Sequence, residues 1–144
     1  MTDVERRLQE VRDRIAAACG RAHRDPGSVR LVAVSKTVPV AAVAEAMAAG
    51  QTLFGENRVQ EALAKIAAIG PAAAWHLVGH LQKNKARHAA GTFELIHGVD
   101  DRELAYDLNR RAEAQSKTQP VLVQANLAGE ETKRGPDEEG LMPL

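Results

Sequence analysis

Aromatic residues make up only 3% of this sequence, and this scarcity is the first of several that narrow its function. Few rings are available to stack on bases. The 19 Lys+Arg residues are balanced by 19 Asp+Glu residues, so no excess positive charge exists to hold a nucleic acid or a membrane surface. No apolar run approaches the roughly 20 residues that a membrane span requires. The composition therefore predicts neither a nucleic-acid-binding protein nor a membrane protein.

Cysteine is also scarce. The single Cys19 excludes a disulfide or a multi-cysteine metal site within this sequence, and its helical surroundings predict a packed thiol. The N-terminal stretch from Met1 to Arg14 is charged in both signs and lacks the apolar core of an export signal. These features predict a protein of the reducing cytoplasm.

Short apolar segments alternate with amphipathic stretches along the chain, which is typical of βα units and a parallel sheet. Five strands are predicted, at residues 30–35, 52–54, 74–78, 93–97 and 120–127. The 144 residues form one domain on this interpretation. An open doubly wound sheet and a closed barrel both fit the alternation. The sequence has neither of the common glycine-rich nucleotide-binding loops of open sheets, and this favours the barrel.

Capping patterns predict where the helices begin. Asn57, with Gln60 three residues later, predicts a helix whose buried stripe is Val59, Leu63 and Ile66. Asp100, with Glu103 three residues later, predicts the start of another helix.

Lys36 ends the apolar run that forms the first predicted strand. The carboxyl end of a strand in a parallel α/β protein is where ligands bind. A lysine enclosed there can lose its proton and attack a carbonyl, forming a Schiff base. Ser35 and Thr37 could donate hydrogen bonds beside it, or either could cap the following helix.

Two further groups of polar residues follow the second and third strands. Gly55 permits close backbone approach, and Asn57 could be a plain N-cap or an amide that positions a bound ring. In the third strand, alternation places His76 and Val78 on one face and Trp75 and Leu77 on the other. His76 could therefore point into a barrel. His76 and His80 are four residues apart, but Gly79 between them and the strand context do not give the helical geometry of a zinc pair, so no metal site is predicted.

The segment from Gly129 to Gly135 follows the fifth strand and has the composition of a surface loop. Its Lys133 could face solvent or the same cleft as Lys36.

These motifs, taken in order, resemble the pyridoxal phosphate homeostasis protein family (the YggS/PROSC type). The matching stretches are Ala33–Thr37, Phe54–Asn57, Val59–Glu61, Trp75–His76, Gly79, Leu81–Gln82, Asn84–Lys85 and Lys133–Gly135. The resemblance implies a TIM-like (β/α) barrel of the alanine-racemase N-terminal-domain type. It also implies that pyridoxal 5'-phosphate is held as a Schiff base on Lys36, with Asn57, His76 and Lys133 around it. The family buffers and delivers the cofactor, so a carrier is expected and no catalytic residue is assigned.

A barrel of this type has eight strands, whereas about five are predicted here. The segments that supply the family's serine- and glycine-rich phosphate grip do not appear in this sequence. We therefore expect residues 1–144 to form a partial barrel that is unstable alone, dependent on a partner or weakly liganded. Amino acids or apoenzymes that need pyridoxal phosphate are the partners that the resemblance implies.

Three alternatives remain at this stage. A racemase or decarboxylase of the same barrel type would need a base on the opposite ring face, and the one tyrosine, Tyr106, is predicted in mid-helix. An aldolase-like barrel would use Lys36 without a cofactor. A fragment without a ligand would associate with another chain through open sheet edges.

Overall fold

The computed structural model describes residues 1–141 and contains one five-stranded parallel sheet with helices between the strands. The strands are β1 (Ala33–Val34), β2 (Leu53–Glu56), β3 (Ala74–Leu77), β4 (Leu95–Val99) and β5 (Val121–Val123). The helices are α1 (Asp3–Arg21), α2 (Val40–Ala48), α3 (Val59–Ile69), α4 (Ala86–Ala89), α5 (Arg102–Ala114) and α6 (Glu138–Leu141). Short 3-10 turns lie at Pro26–Ser28 and Lys83–Lys85.

The strands lie side by side in chain order, from β1 at one edge to β5 at the other. All four pairings are parallel, and Gly55 of β2 is in register with Val34 of β1 and His76 of β3. This arrangement confirms the predicted alternation. β5 is shorter than predicted, because it includes only Val121–Val123 of the predicted 120–127 segment.

One face of the sheet, which we call the helix face, is covered by the helices. It includes Phe54, Trp75, Leu77 and Ile96, all of which are buried in the main core. Phe54 and Trp75 pack with their ring centroids 5.4 Å apart. Small alanines on α3 and α4 let these helices approach the sheet closely, and Leu104 and Leu108 of α5 complete the core. Cys19 of α1 is buried, as predicted.

The opposite face, which we call the inner face, is the side that a closed barrel would enclose. A Cβ added at Gly55 would meet the side chains of Val32, Val34 and Val78, so these valines share this face with Gly55. Val34 is 50% exposed, and the side chains of β5 are also exposed. The inner face is therefore largely open in the described part of the chain.

The start of α5 differs from the prediction by one residue. Asp101, not Asp100, is the N-cap, and its carboxylate accepts a hydrogen bond from the main-chain amide of Leu104 at 2.8 Å. Asp100 instead lies 3.2 Å from His80 Nδ1. The Asp100 carboxylate, which the sequence pattern predicted as the helix cap, thus lies next to His80 instead.

Candidate functional site at the carboxyl edge of the sheet

Lys36 lies in a tight turn directly after β1. The main-chain amide of Val38 donates to the carbonyl oxygen of Ser35 at 3.0 Å, so Lys36 and Thr37 are the central residues of a β-turn. Thr37 has a φ of 62°, a left-handed conformation that costs a β-branched residue on the order of 1–3 kcal/mol. The backbone thus accepts strain at the point where the chain presents Lys36.

The side chain of Lys36 is exposed in the described structure, so the expectation that it is enclosed is wrong. The physical reason is the open inner face: Val34, two residues before Lys36, is itself half exposed. The lysine does lie at the carboxyl end of its strand, as predicted.

Neither neighbour of Lys36 caps the following helix. The N-cap of α2 is Pro39, which makes no side-chain cap bond. Thr37 Oγ1 donates to the carbonyl oxygen of Lys36 at 2.6 Å, whereas Ser35 Oγ donates to Glu56 Oε1 at 2.6 Å on the helix face. The Ser35 bond thus points away from Lys36 and the Thr37 bond ends on its backbone, so neither hydroxyl donates a hydrogen bond into the space beside the Lys36 side chain.

Asn57 lies between β2 and α3 and is partly buried. The predicted capping box is wrong, because Arg58 occupies the N-cap position and α3 begins at Val59. Gln60 is consequently the second helical residue and cannot close a capping box with Asn57. Asn57 is therefore not the N-cap of α3, and its side-chain amide does not serve as a cap.

A cavity of about 330 Å³ adjoins Asn57 at the carboxyl ends of β2 and β3. Its lining residues are Asn57, Arg58, Val59, Gln60, Gly79, His80, Gln82 and Lys85. Gly79 lets the two loops meet, because a Cβ there would collide with the carbonyl oxygen of Asn57 and lie 2.7 Å from its Cα. Amides and cationic side chains dominate this lining, which suits a polar or anionic group.

His76 is buried on β3, and Trp75 and Leu77 lie in the core on the helix face, so the predicted alternation of this strand is confirmed. His76 Nδ1 lies 3.0 Å from His97 Nε2, and one of these nitrogens donates to the other. His76 Nε2 has no hydrogen-bond partner among the described residues and lies 3.7 Å from Glu94 Oε1. Burial, followed by the nearby His97, holds the pKa of His76 below its ordinary value.

The polar contacts of His76 extend toward the amino end of the strands. Glu94 precedes β4, and its carboxylate pairs with Arg30, which precedes β1, at 2.6 Å. That ion pair, with a side-chain hydrogen bond from Arg30, lowers the pKa of Glu94. Lys36, by contrast, lies at the carboxyl end of β1. The structure therefore places His76 on the inner face without bringing it into hydrogen-bond contact with Lys36.

Lys133 lies in an exposed loop after β5. The Asn126 amide holds this loop by donating to the carbonyl oxygen of Glu130 at 2.9 Å, and the Asn126 backbone amide donates to Pro136 O at 2.8 Å. Because β1 and β5 are the two edges of the sheet, Lys133 and Lys36 follow strands about 19 Å apart along the sheet, at four spacings of about 4.8 Å. That Lys133 faces the same cleft as Lys36 stays a prediction.

Several residues near these groups were not singled out by the sequence analysis. His97, Glu94 and Arg30 surround His76, and Glu56 and Lys65 are buried next to Ser35. Strand alternation would place His97 on the same face as Leu95, the register partner of His76, and this is a usable signal. Glu56 offered a second signal, since a carboxylate inside an apolar strand requires a partner.

The position of Tyr106 bears on the racemase alternative. Tyr106 is on α5 and 67% exposed. Among residues 1–141, no three or more His, Cys, Asp or Glu side chains are arranged to hold a metal ion. None of the helices within the same residues is long and apolar enough to cross a membrane.

The chain is similar to curated proteins named pyridoxal phosphate homeostasis protein. The chain is 41% identical to the pyridoxal phosphate homeostasis protein of Aquifex aeolicus over 96% of its length, and this match covers 61% of that relative. It is 42% identical to the protein of the same name from Escherichia coli K12, covering 94% of the chain and 59% of the relative. The chain thus spans about three fifths of these relatives, and the resemblance inferred from the sequence motifs is confirmed.

Solved structures share the fold. PipY from Synechococcus elongatus, solved with pyridoxal phosphate bound, is 41% identical, with a TM-score of 0.79 over 98% of this chain and 61% of that one. A protein of unknown function from Bifidobacterium adolescentis is 34% identical, with a TM-score of 0.85 over 99% of this chain and 64% of that one. The family model for the alanine racemase N-terminal domain matches residues 7–137. Because this match includes most of the sequence and agrees with the five parallel strands, the chain belongs to the alanine racemase N-terminal domain family.

Proposed function

We propose that this protein binds pyridoxal 5'-phosphate through Lys36 and takes part in vitamin B6 homeostasis as a carrier. The observation that supports this most directly is the position of Lys36 in a strained turn at the carboxyl edge of a parallel sheet. The PipY structure with pyridoxal phosphate bound shares this fold at 41% identity. The names of the curated relatives support the role in homeostasis.

The described residues fit such a ligand at its aldehyde and ring. When bound, the cofactor would supply an aldehyde that condenses with an amine and releases one water molecule. Lys36 offers that amine, and the exposed side chain of Val34 offers an apolar surface beside it. Asn57 lies at the end of the neighbouring strand β2, where an amide could orient a ring substituent.

His76 and Lys133 have less direct roles in this proposal. The buried His76 would lie beneath the ligand on the inner face, where its hydrogen bond with His97 fixes its ring. Lys133 would supply positive charge from the far edge of the sheet, where its loop is fixed by Asn126. Both assignments come from the family resemblance and depend on closure of the sheet around the ligand.

The exposure of Lys36 favours a carrier over a catalyst. An amine that water reaches is also reached by other amines, which can displace Lys36 and remove the aldehyde. Amino acids and apoenzymes that require pyridoxal phosphate are the recipients we propose, in the cytoplasm.

The test is covalent trapping. The chain is incubated with pyridoxal 5'-phosphate, reduced with sodium borohydride, digested and mapped by mass spectrometry. We expect the label to concentrate on the peptide containing Lys36 and to be lost from it in Lys36→Ala. Lys117→Ala, which removes another lysine with an exposed side chain, is the matched control and should leave the Lys36 label unchanged. Label spread evenly over all lysines would refute the proposal.

A further inference from the structure

A buried ion pair lies directly behind the turn that contains Lys36. Lys65 of α3 is only 8% exposed, and its Nζ lies 2.6 Å from Glu56 Oε1 at the end of β2. The same Glu56 oxygen accepts a hydrogen bond from Ser35 Oγ at 2.6 Å, and Glu56 is completely buried. Charged groups are retained in a protein interior only when they are paired, and a pair of this kind adds little to stability compared with apolar side chains. Its presence beside Ser35 therefore calls for an explanation beyond stability.

The ammonium group of Lys65 also contacts the backbone of the turn. Lys65 Nζ donates to the carbonyl oxygen of Ser35 at 2.6 Å. This carbonyl oxygen is also the acceptor for Val38, whose amide closes the β-turn around Lys36 and Thr37. One buried cation thus fixes the peptide group from which the turn begins.

The turn is one that requires such support. Thr37 adopts a φ of 62°, which a β-branched residue avoids unless its surroundings impose it. Within the turn itself, the Val38 amide bond and the bond from Thr37 Oγ1 to Lys36 O are the described hydrogen bonds. Outside it, β1 is held by its pairing with β2 and by the side chains of Ser35, Glu56 and Lys65.

We propose that Lys65, held in place by Glu56, is a positioning residue that fixes the Ser35–Val38 turn and thereby sets the direction in which Lys36 presents its amine. This inference rests on the proposed function, since it concerns the access of pyridoxal phosphate to Lys36. Lys65 does not touch the ligand. We call Lys65, Glu56 and their contacts with Ser35 the clamp. Without the clamp, the turn relaxes, and Lys36 becomes an ordinary surface lysine with no preferred orientation.

The test variant removes both charges together. Lys65→Met or Glu56→Gln alone leaves a buried group unpaired and risks unfolding, whereas the double variant Lys65→Met/Glu56→Met replaces the pair with apolar side chains of similar volume. The matched control is Lys83→Met/Glu103→Met, which removes an ion pair that is exposed and distant from the turn. Urea unfolding of each full chain establishes that both double variants are folded.

The first readout needs no cofactor. Amide hydrogen exchange should accelerate at Val38 by about tenfold or more in the clamp variant, while the amide of Ala74, which donates to Thr52 between β2 and β3, keeps its protection. Unchanged exchange at Val38 would overturn the clamp, whether or not the protein binds pyridoxal phosphate.

The second readout is the selectivity of borohydride-trapped label. The fraction found on Lys36 should fall about tenfold in the clamp variant, toward that of other surface lysines, and should stay at the parent value in the control. A clamp variant that labels Lys36 as selectively as the parent would overturn the positioning role. A parent chain without selective label at Lys36 would instead overturn the proposed function, while the exchange result still decides whether the clamp exists.

Discussion

His76 Nδ1 and His97 Nε2 lie 3.0 Å apart, on neighbouring strands of the inner face. Two imidazoles at this distance share one proton between their facing nitrogens, so protonating both would place like charges in contact. Burial lowers the pKa of His76 below its ordinary value of 6.5, and the charge of His97 lowers it further. Folding therefore favours the neutral form of His76.

The pH dependence of stability follows from this shift. As pH falls through about 6.5, His76 of the unfolded chain binds a proton before His76 of the folded chain does, so the free energy of unfolding decreases. We expect this decrease to be smaller in His76→Gln, measured by urea unfolding between about pH 7.5 and 5.5. A variant that loses stability as steeply as the parent would show that His76 does not contribute.

The close approach of Gly79 to Asn57 leads to a second prediction. Gly79→Ala places a methyl group against the Asn57 backbone, and overpacking of this kind costs about 1–3 kcal/mol of unfolding free energy. Gly20→Ala is the matched control, because it lies within α1 and an added Cβ there meets nothing within 4 Å. That change should raise stability by up to about 1 kcal/mol. Equal effects of the two substitutions in urea unfolding would contradict the proposed geometry.

A third prediction concerns the contact between Phe54 and Trp75 on the helix face. Both side chains are almost fully buried, so Trp75→Ala should lower the free energy of unfolding by about 3–5 kcal/mol. Trp75→Phe keeps an aromatic partner for Phe54 and should recover more than half of that loss. Since Trp75 is the one tryptophan of the chain, the variants are followed by circular dichroism instead of fluorescence.

A fourth prediction concerns the exposed edge strand β5. Leu122 is 48% exposed there, and the backbone of β5 pairs with β4 alone among the described strands. Unpaired edges with apolar side chains promote association between chains, and a lysine opposes it. We therefore expect the chain to self-associate at high protein concentration and Leu122→Lys to reduce that self-association, as measured by sedimentation velocity. Tyr106→Lys, on the exposed surface of α5, should not. The same reduction in both variants would point to net charge instead of the edge.

The alternation of strands and helices and the faces of the strand residues could be predicted from the sequence because they follow local patterns. The run before Lys36 and the alternation around His76 each depend on residues within a few positions. The boundary of α3 was harder, because Asn57 and Gln60 form a valid capping pattern one residue away from the observed one. Local energies of two adjacent starts differ little, so packing of the whole helix decides between them.

The burial of Lys65 could not be predicted from helical periodicity. The predicted stripe was Val59, Leu63 and Ile66, whereas the buried positions of α3 are Val59, Ala62 and Lys65. Lys65 tolerates burial only because Glu56 and the Ser35 carbonyl satisfy it, and these partners lie 9 and 30 residues away in the chain. A single sequence without tertiary contacts gives a lysine at that position no reason to face inward.

Because each strand from β2 to β5 pairs with the strand that precedes it in the chain, each of these strands has its pairing partner already made when it leaves the ribosome. Only β1 must wait for a later strand, so within the described sheet pairing can proceed from β1 toward β5 during synthesis. Misassembly should then be most frequent at the growing edge, where the newest strand has only one neighbour.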